Sequence, residues 1–320
     1  MNKQTIKLGL IGLGQMGRNH LRVLSMLRGV DIAFIFDANF AHAQQLATQY
    51  GLQAVEDIQQ AAAQVDAVVI CTPTITHADY IQQLAPVVKN IFVEKPLAHS
   101  LAAADALAPL IKQFGTQIQV GFIERFNPAV AGLHRVLQDA NRVINIDFTR
   151  TNRLSSRITD VDVISDLMIH DIDLALYLNG EVETVSAQGV VHDGLIEFAS
   201  AQITHKNGCF SRLQASRITE KKIRLIQATC DDRFVDCDLL RKEIQIHRQS
   251  VVQQNSAEAY SISSQQETVA IGQQEALLSE LQAFVSLARG DAVNIPDYAA
   301  GIESLRVCEA IREAILRAAT

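Results

Sequence analysis

Ile6-Lys7-Leu8-Gly9-Leu10-Ile11-Gly12-Leu13-Gly14-Gln15-Met16-Gly17 decides the fold. Its first half is a short apolar run that stops at glycine, the mark of a buried strand. Residues 15–27 then place Met16, Leu21, Leu24 and Leu27 at helical spacing. Between strand and helix, 12–17 reads G-x-G-x-x-G, a pattern that carries weight only in this context. Gly12 permits a tight turn, Gly14 lets the backbone approach a pyrophosphate, and Gly17 lets the helix pack on the strand. The free N–H groups and positive end of the helix then face the phosphates. Gly12, Leu13, Gly14, Gln15, Met16 and Gly17 are therefore the expected dinucleotide loop. Asp37 closes the next strand, Phe34-Ile35-Phe36-Asp37, about 20 residues after the glycines, where an acid accepts bonds from a ribose 2′-hydroxyl. A carboxylate there repels a 2′-phosphate, so NAD is expected over NADP. The other reading of Asp37 is a turn residue.

Outward from this unit, short apolar runs at 31–36, 66–70, 90–93 and 117–120 alternate with helical patterns at 41–50, 77–88 and 99–113. That alternation predicts parallel strands with helices on both faces. Near residue 121 the pattern changes. A helix at 129–139, a strand at 143–151 and a helix at 166–178 lead into strand-like segments at 184–190, 196–203, 210–213, 222–228, 234–238 and 243–247. Residues 249–266, rich in Gln and Ser, read as an exposed loop or edge, and helices at 273–289 and 298–318 close the chain. The expected fold class is α/β: a doubly wound parallel sheet in domain 1–122, then an α/β (α+β) domain over 123–320 built on a large, mainly antiparallel open sheet.

The 320 residues suit two domains, and 48% apolar with 20% charged residues suits packed cores. A net charge of −7 without a long basic run argues against a nucleic-acid partner. No apolar run approaches a membrane span. Lys3 and Lys7 around the apolar stretch imitate a secretory leader, but the stretch is short and no small-residue cleavage site follows. Cys71, Cys209, Cys230, Cys237 and Cys308 are odd in number and widely spread. Reduced thiols in a cytoplasm are the expectation.

Cys71-Thr72-Pro73-Thr74-Ile75-Thr76-His77 follows one apolar run and Glu94-Lys95-Pro96 the next. The carboxyl ends of parallel strands form the ligand crevice in such sheets. Thr72 and Thr74 are expected at phosphate or ribose, Thr76 as a helix cap, and His77 either on the helix surface or at the ligand. The residue before proline is held extended, which aims Lys95 into the crevice. There a lysine could exchange a proton with a substrate hydroxyl as hydride leaves the same carbon. Glu94 could bond a cofactor ribose or hold Lys95; a surface Glu–Lys pair is the bland alternative. Asp166-Leu167-Met168-Ile169-His170 puts a carboxylate and an imidazole four apart on one helix face among apolar neighbours. Such a pair suits proton transfer near neutral pH. A metal site built from His170 with Asp171 and Asp173 is disfavoured, because no second histidine stands at ligand spacing. In Gly121-Phe122-Ile123-Glu124-Arg125-Phe126-Asn127-Pro128, Arg125 is a candidate for a substrate phosphate or carboxylate. Asn127 would read hydroxyls or cap the next helix. Arg153 and Arg157 are further candidates.

The glycine loop, the 72–77 stretch, Glu94-Lys95-Pro96 and D-x-x-x-H at Asp166 and His170 together resemble the glucose–fructose oxidoreductase / inositol dehydrogenase (Gfo/Idh/MocA) family. The resemblance implies an N-terminal Rossmann domain and a C-terminal domain whose open sheet often forms subunit contacts, hence a homodimer or homotetramer. It implies NAD(P)-dependent oxidation or reduction of a sugar or cyclitol hydroxyl. Lys95, Asp166 and His170 match the family's catalytic trio, and the Lys95–Pro96 bond is expected cis. Ile123-Glu124-Arg125-Phe126-Asn127-Pro128-Ala129-Val130, Arg157-Ile158-Thr159-Asp160-Val161 and 166–173 look like the branch that oxidises C3 of UDP-N-acetylglucosamine. Val163-Ile164-Ser165 replaces the glycine-rich lead of the wider family. On that resemblance Arg125, Arg153 or Arg157 would hold the diphosphate. Two other readings stand beside it: a dehydrogenase of free sugar or inositol, and a non-catalytic NAD-binding sensor.

Overall fold

The computed structural model describes residues 4–152, 161–256 and 259–318. Arg153, Arg157 and Ile158-Thr159-Asp160 lie outside the described residues. Two compact units emerge: residues 1–123 with 275–306, and residues 124–274 with 307–320. The linear division at 122/123 does not describe the segment 275–306, which groups with the first unit.

In the first unit β1 (Ile6–Ile11), β2 (Val30–Phe36), β3 (Ala67–Ile70), β4 (Asn90–Glu94) and β5 (Gln117–Gly121) form one sheet in the order β2-β1-β3-β4-β5. Every pairing in it is parallel. Strands β1, β3 and β4 are almost wholly buried, as a sheet covered on both faces requires. The helices between them are α1 (Gln15–Met26), α2 (Phe40–Tyr50), α3 (Ile58–Ala62), α4 (His77–Leu84), α5 (Leu101–Asp105) and α6 (Ala108–Phe114). The single helix expected at 99–113 is broken in two, with Pro109 in the first turn of α6, where its missing N–H costs nothing. The strand order reverses between β1 and β3, and the crevice at such a switch point is where doubly wound sheets bind ligands. The glycine loop leaves β1 there, and 71–77 leaves β3.

The second unit contains α7 (Pro128–Gln138), β6 (Val143–Thr151), a π turn at Ile164–Met168, and α8 (Ile169–Asn179). Then come β7 (Val182–His192), β8 (Leu195–His205), β9 (Phe210–Ser216), β10 (Ile223–Cys230), β11 (Arg233–Asp238), β12 (Glu243–Ser256) and β13 (Ala259–Val269). The eight-stranded order is β13-β12-β11-β10-β6-β9-β8-β7, antiparallel except for β6 with β9. Residues 249–256 and 259–266, in the expected loop or edge, belong to β12 and the edge strand β13. The pleat separates the faces. Ala201, Leu213, Phe148, Ile226, Cys237 and Ile244 form one buried cross-strand row. The neighbouring row on the opposite face is polar: Gln202, Arg212, Asp147, Gln227, Asp236 and Gln245. The chain ends with α9 (Ala276–Ala288) and α10 (Tyr298–Ala318). Among the described residues no helix is long and apolar enough to cross a membrane.

Candidate active site

The glycine loop is shaped by what its glycines leave out. Gly12 has φ +89°, and a Cβ there would stand 2.7 Å from the Cys71 carbonyl carbon and the Thr72 nitrogen. A Cβ on Gly17 would meet the Gly12 carbonyl oxygen at 1.9 Å, so α1 packs closer to the loop than any other residue allows. Gly14 faces open space and caps α1 with no side-chain bond, leaving the first-turn N–H groups turned outward. Gly14, Gln15 and Met16 are exposed while Leu13 is buried. Asp37 stands at the end of β2 as expected, but its carboxylate also builds the loop: Oδ2 accepts from the Leu13 N–H at 2.8 Å and Oδ1 from the Asn39 N–H at 2.9 Å. An open cradle, uncapped helical N–H groups and a half-buried carboxylate at the strand end suit a dinucleotide.

The next two strand ends are tied together. His77 is buried rather than on the helix surface. Its Nδ1 lies 2.8 Å from the Pro96 carbonyl and its Nε2 2.9 Å from that of Thr72. Burial pushes its pKa below the ordinary histidine value, and the two carbonyls oppose that. Thr76 does not cap α4; its hydroxyl turns back to Thr72 Oγ1 at 2.9 Å and the Pro73 carbonyl at 2.8 Å. Thr72 and Thr74 are half-buried and Pro73 is exposed. The Lys95–Pro96 bond is cis. Glu94, expected at a ribose or holding Lys95, receives the His20 ring at 2.6 Å on Oε1 and the Lys95 backbone N–H at 3.2 Å on Oε2. His20 is fully buried, edge-on to Phe92 at 5.1 Å. Ligand-capable atoms of His20, Cys71 and Glu94 lie within 4.8 Å of one another, but the 2.6 Å His20–Glu94 contact is a hydrogen bond. Burial, with Glu94 and Glu280 near by, keeps Cys71 a thiol. Lys95 itself is half-buried at the end of β4.

In the second unit Asp166 and His170 do not share one regular helix. Asp166 sits in the π turn, closed by the Ile169 N–H on the Ile164 carbonyl, and His170 sits in the first turn of α8. Such insertions are frequent at functional sites. Both residues are half-buried, and Asp166 Oδ2 accepts from Arg217 at 3.2 Å. The acids that follow hold arginines. Asp171 takes Arg150 in a two-pronged pair at 2.7 and 2.9 Å, and Asp173 takes Arg125 likewise at 2.6 and 2.8 Å. Arg125 also lies 5.0 Å from the Tyr177 ring centroid. Asn127 caps α7 through the Ala129 N–H at 3.1 Å and donates to Glu124 at 3.1 Å. Of the two roles expected for its side chain, the structure shows the cap. Glu124 completes the network, accepting from Arg150 at 2.9 Å and Arg224 at 3.1 Å. Burial works to raise the Glu124 pKa, yet Arg150, Arg224 and Asn127 hold it below the ordinary value.

Burial pushes Asp173 from 3.8 up to about 6 against the pull of Arg125. Its folded value therefore stands above its unfolded one, and the native state takes up this proton first. The group favours folding increasingly as pH falls from about 6 toward 4. Asp173→Asn cannot ionise. In that window wild type should gain on the variant by up to about 1.4 kcal/mol per pH unit lowered. Urea unfolding across the window checks this, and parallel slopes for the two proteins would refute it.

Sequence reasoning missed His20, Arg150, Arg217 and the pairing role of Glu124. His20 was legible as the one polar member of the buried stripe Gly17, His20, Leu21, Leu24 on α1. Arg150 shares the inward parity of Ile146 and Phe148 on β6, a position that demands a partner. Arg217, just past β9, gave no signal.

A doubly wound sheet whose switch point fits a dinucleotide, in a chain that also carries an acid in a π turn and an imidazole at the start of the helix that follows, defines a nucleotide-dependent dehydrogenase. Residues 6–122 match the NAD-binding Rossmann-fold model of the GFO/IDH/MocA oxidoreductase family, and 141–234 match its C-terminal domain. The chain is 29% identical over 307 residues to UDP-N-acetylglucosamine 3-dehydrogenase of Acidithiobacillus ferrooxidans, covering 95% of each chain. A solved structure of that enzyme has a TM-score of 0.84 at 30% identity over 97% of both chains. Identity to scyllo-inositol 2-dehydrogenase (NAD(+)) of Bacillus subtilis is 31% over 231 residues, 66% of this chain and 67% of that one. Identity to inositol 2-dehydrogenase of Rhizobium meliloti is 33% over 185 residues, 55% and 56% of the two chains. The chain belongs to the GFO/IDH/MocA oxidoreductase family. It is an NAD-dependent oxidoreductase of the sugar and inositol dehydrogenase type.

Asp37 carries a second test of the cofactor site. Asp37→Ala removes a charged acceptor from two loop amides and the repulsion toward a 2′-phosphate. kcat/KM for NAD should fall about 10- to 100-fold, the scale of a lost charge-assisted hydrogen bond. The NAD-to-NADP ratio should narrow with it. Kinetics with both cofactors check this, and an unchanged ratio would contradict it.

Proposed function

We propose that this protein oxidises C3 of UDP-N-acetylglucosamine to the 3-keto sugar nucleotide, with Lys95, Asp166 and His170 carrying the proton chemistry. The supporting observation is the match to the A. ferrooxidans enzyme through both domains, over 95% of each chain, where the two inositol dehydrogenases match over 55–67%. NAD, when bound, accepts hydride from the substrate carbon. The glycine loop and the outward N–H groups of α1 hold its diphosphate, and Asp37 meets the ribose while fixing the loop. Thr72, Pro73 and Thr74 form the opposite rim of the switch-point crevice. Glu94 and His77 act on this site by fixing the backbone on either side of Lys95. Lys95 and His170 are the two groups able to take the hydroxyl proton, and Asp166 orients them. The pH dependence of kcat in Lys95→Ala and His170→Ala tells which one does.

One observation favours oxidation of a neutral sugar or inositol instead. The Arg125 guanidinium is fully matched to the Asp173 carboxylate, so it brings no uncompensated charge to a diphosphate. On the sugar-nucleotide reading the diphosphate falls to Arg153 and Arg157. Steady-state NADH formation with UDP-N-acetylglucosamine, myo-inositol, scyllo-inositol and glucose separates the readings, with an aminotransferase present to trap an unfavourable 3-keto product. A kcat/KM for UDP-N-acetylglucosamine about 100-fold above the others is expected, the discrimination a site built to bond its substrate's polar groups exceeds comfortably. Preference for an inositol would overturn the substrate, and bound NAD without turnover on any sugar would point to a sensor. We also propose a homo-oligomer, dimer or tetramer, formed through the eight-stranded sheet; a monomer mass by light scattering would overturn it.

A further inference from the structure

The segment that delivers Asp166 is gripped by two arginines. Asp162 opens the turn: its carboxylate accepts from the Ser165 N–H at 2.8 Å and its carbonyl from the Asp166 N–H at 3.1 Å. Arg312, on α10, donates to Asp162 Oδ2 and to Ser165 Oγ, both at 2.7 Å. Arg217, directly after β9, donates to the Val161 carbonyl, to the Asp162 carbonyl at 3.1 Å and to Asp166 Oδ2 at 3.2 Å. Two ion pairs, Arg312 with Asp162 and Arg217 with Asp166, thus flank the start of the π turn, with Arg217 bridging to the Asp162 backbone carbonyl.

Burial separates the members of the second pair. Arg217 is only 4% exposed, and its Nε is buried without a hydrogen-bond partner among the described residues. A guanidinium held for stability alone would be expected to satisfy every donor, because an unmet buried donor carries a desolvation cost. Here the geometry sacrifices Nε and commits both terminal nitrogens to the turn. The Asp166 side chain keeps 23% of its surface, against 4% for that of Arg217. The acid is therefore gripped from the protein side while still presenting surface.

We propose that Arg217 is a positioning residue for the oxidation: it fixes the π turn and the Asp166 carboxylate so that Asp166 meets the reacting groups in one orientation. This rests on Asp166 acting in the chemistry. Misplacement of a reacting group by a fraction of its own length costs about 100-fold in rate, so Arg217→Ala lowers kcat by about 100-fold while KM for NAD, bound by the first unit, stays within about two-fold. Arg217→Lys keeps the charge and loses the fork, and falls about 10-fold.

The test is a cycle of Asp166→Asn, Arg217→Ala and the double variant, each assayed with NAD against UDP-N-acetylglucosamine and against myo-inositol, with thermal melting alongside. If Arg217 acts through Asp166, its removal costs less than about three-fold once Asp166 is already Asn. Wild-type kcat in Asp166→Asn sinks the assignment of Asp166 itself. Wild-type kcat in Arg217→Ala beside an impaired Asp166→Asn, or full additivity in the double variant, sinks the positioning role alone. Should Arg217→Ala fail to fold, Arg217→Lys decides: lowered kcat with unchanged KM for NAD upholds the proposal, and unchanged kcat overturns it.

Discussion

Lys95→Ala is expected to lower kcat by about 10³-fold, the middle of the range for a positioned acid–base group, while the Kd for NAD changes by less than about two-fold. The split follows from how the residue is mounted. Its backbone N–H is fixed by Glu94 Oε2 at 3.2 Å, and Glu94 is itself anchored by the fully buried His20 at 2.6 Å. On the other side the Pro96 carbonyl lies 2.8 Å from His77 Nδ1. These contacts run through the Lys95 backbone N–H, the Glu94 carboxylate and the Pro96 carbonyl, all of which the truncated variant keeps. NAD titration and single-turnover assays separate binding from chemistry. A kcat near wild type would remove Lys95 from the mechanism, and lost NAD affinity would instead make it a cofactor-binding residue.

The fold was legible because its first unit obeys local rules. The run ending at Gly12, the 12–17 loop and Asp37 each signal through backbone chemistry: a φ of +89°, a helix packed where no Cβ fits, a carboxylate at a strand end. Such requirements write themselves into single residues. The eight-stranded sheet was legible as alternation, but the parallel pairing of β6 with β9 was not, since a strand's partner is set by the whole sheet. Composition left the 249–266 stretch open between a loop and an edge; the edge reading is the one that fits, since β13 is the end strand of the sheet, and its pairing with β12 is a long-range choice that composition does not encode. The candidate site divided similarly. Lys95, Asp166 and His170 stand out by motif. Which arginine is already paired does not: Arg125 looks available in sequence because Asp173, its partner, lies 48 residues away. The same long-range pairing hid Arg217, whose role exists only because β9 ends beside the turn carrying Asp166.

Arg150→Met should be the most destabilising substitution in the second unit, by about 3–5 kcal/mol, the scale for breaking a buried ion pair from one side. Arg150 is 1% exposed and faces two buried carboxylates, Asp171 and Glu124. Both remain in the variant, with Arg224 and Asn127 left to face Glu124. Burial already raises the Asp171 pKa with Arg150 present, and in Glu124 burial is outweighed by Arg150, Arg224 and Asn127 together. Without Arg150 the folded pKa of Asp171 rises further above its unfolded value, and that of Glu124 rises from its depressed position. The variant's native state then binds more protons than its unfolded state, so its stability increases as pH falls and the deficit against wild type narrows in acid. Wild-type Glu124 runs the opposite way: its depressed pKa adds stability above the unfolded value that is lost as pH falls through the folded one. Urea unfolding at neutral and mildly acidic pH, followed by probes in each unit, reads both effects. The first unit's transition serves as an internal reference, because a two-unit chain need not melt as one. Replacing Glu124 by Gln and Asp171 by Asn in the same protein removes the charges left behind and should recover part of the loss. A deficit below about 1 kcal/mol, or one indifferent to pH, would mean that water or another cation reaches these carboxylates when Arg150 is gone, and that the charge network does not hold α8 and its lead in place.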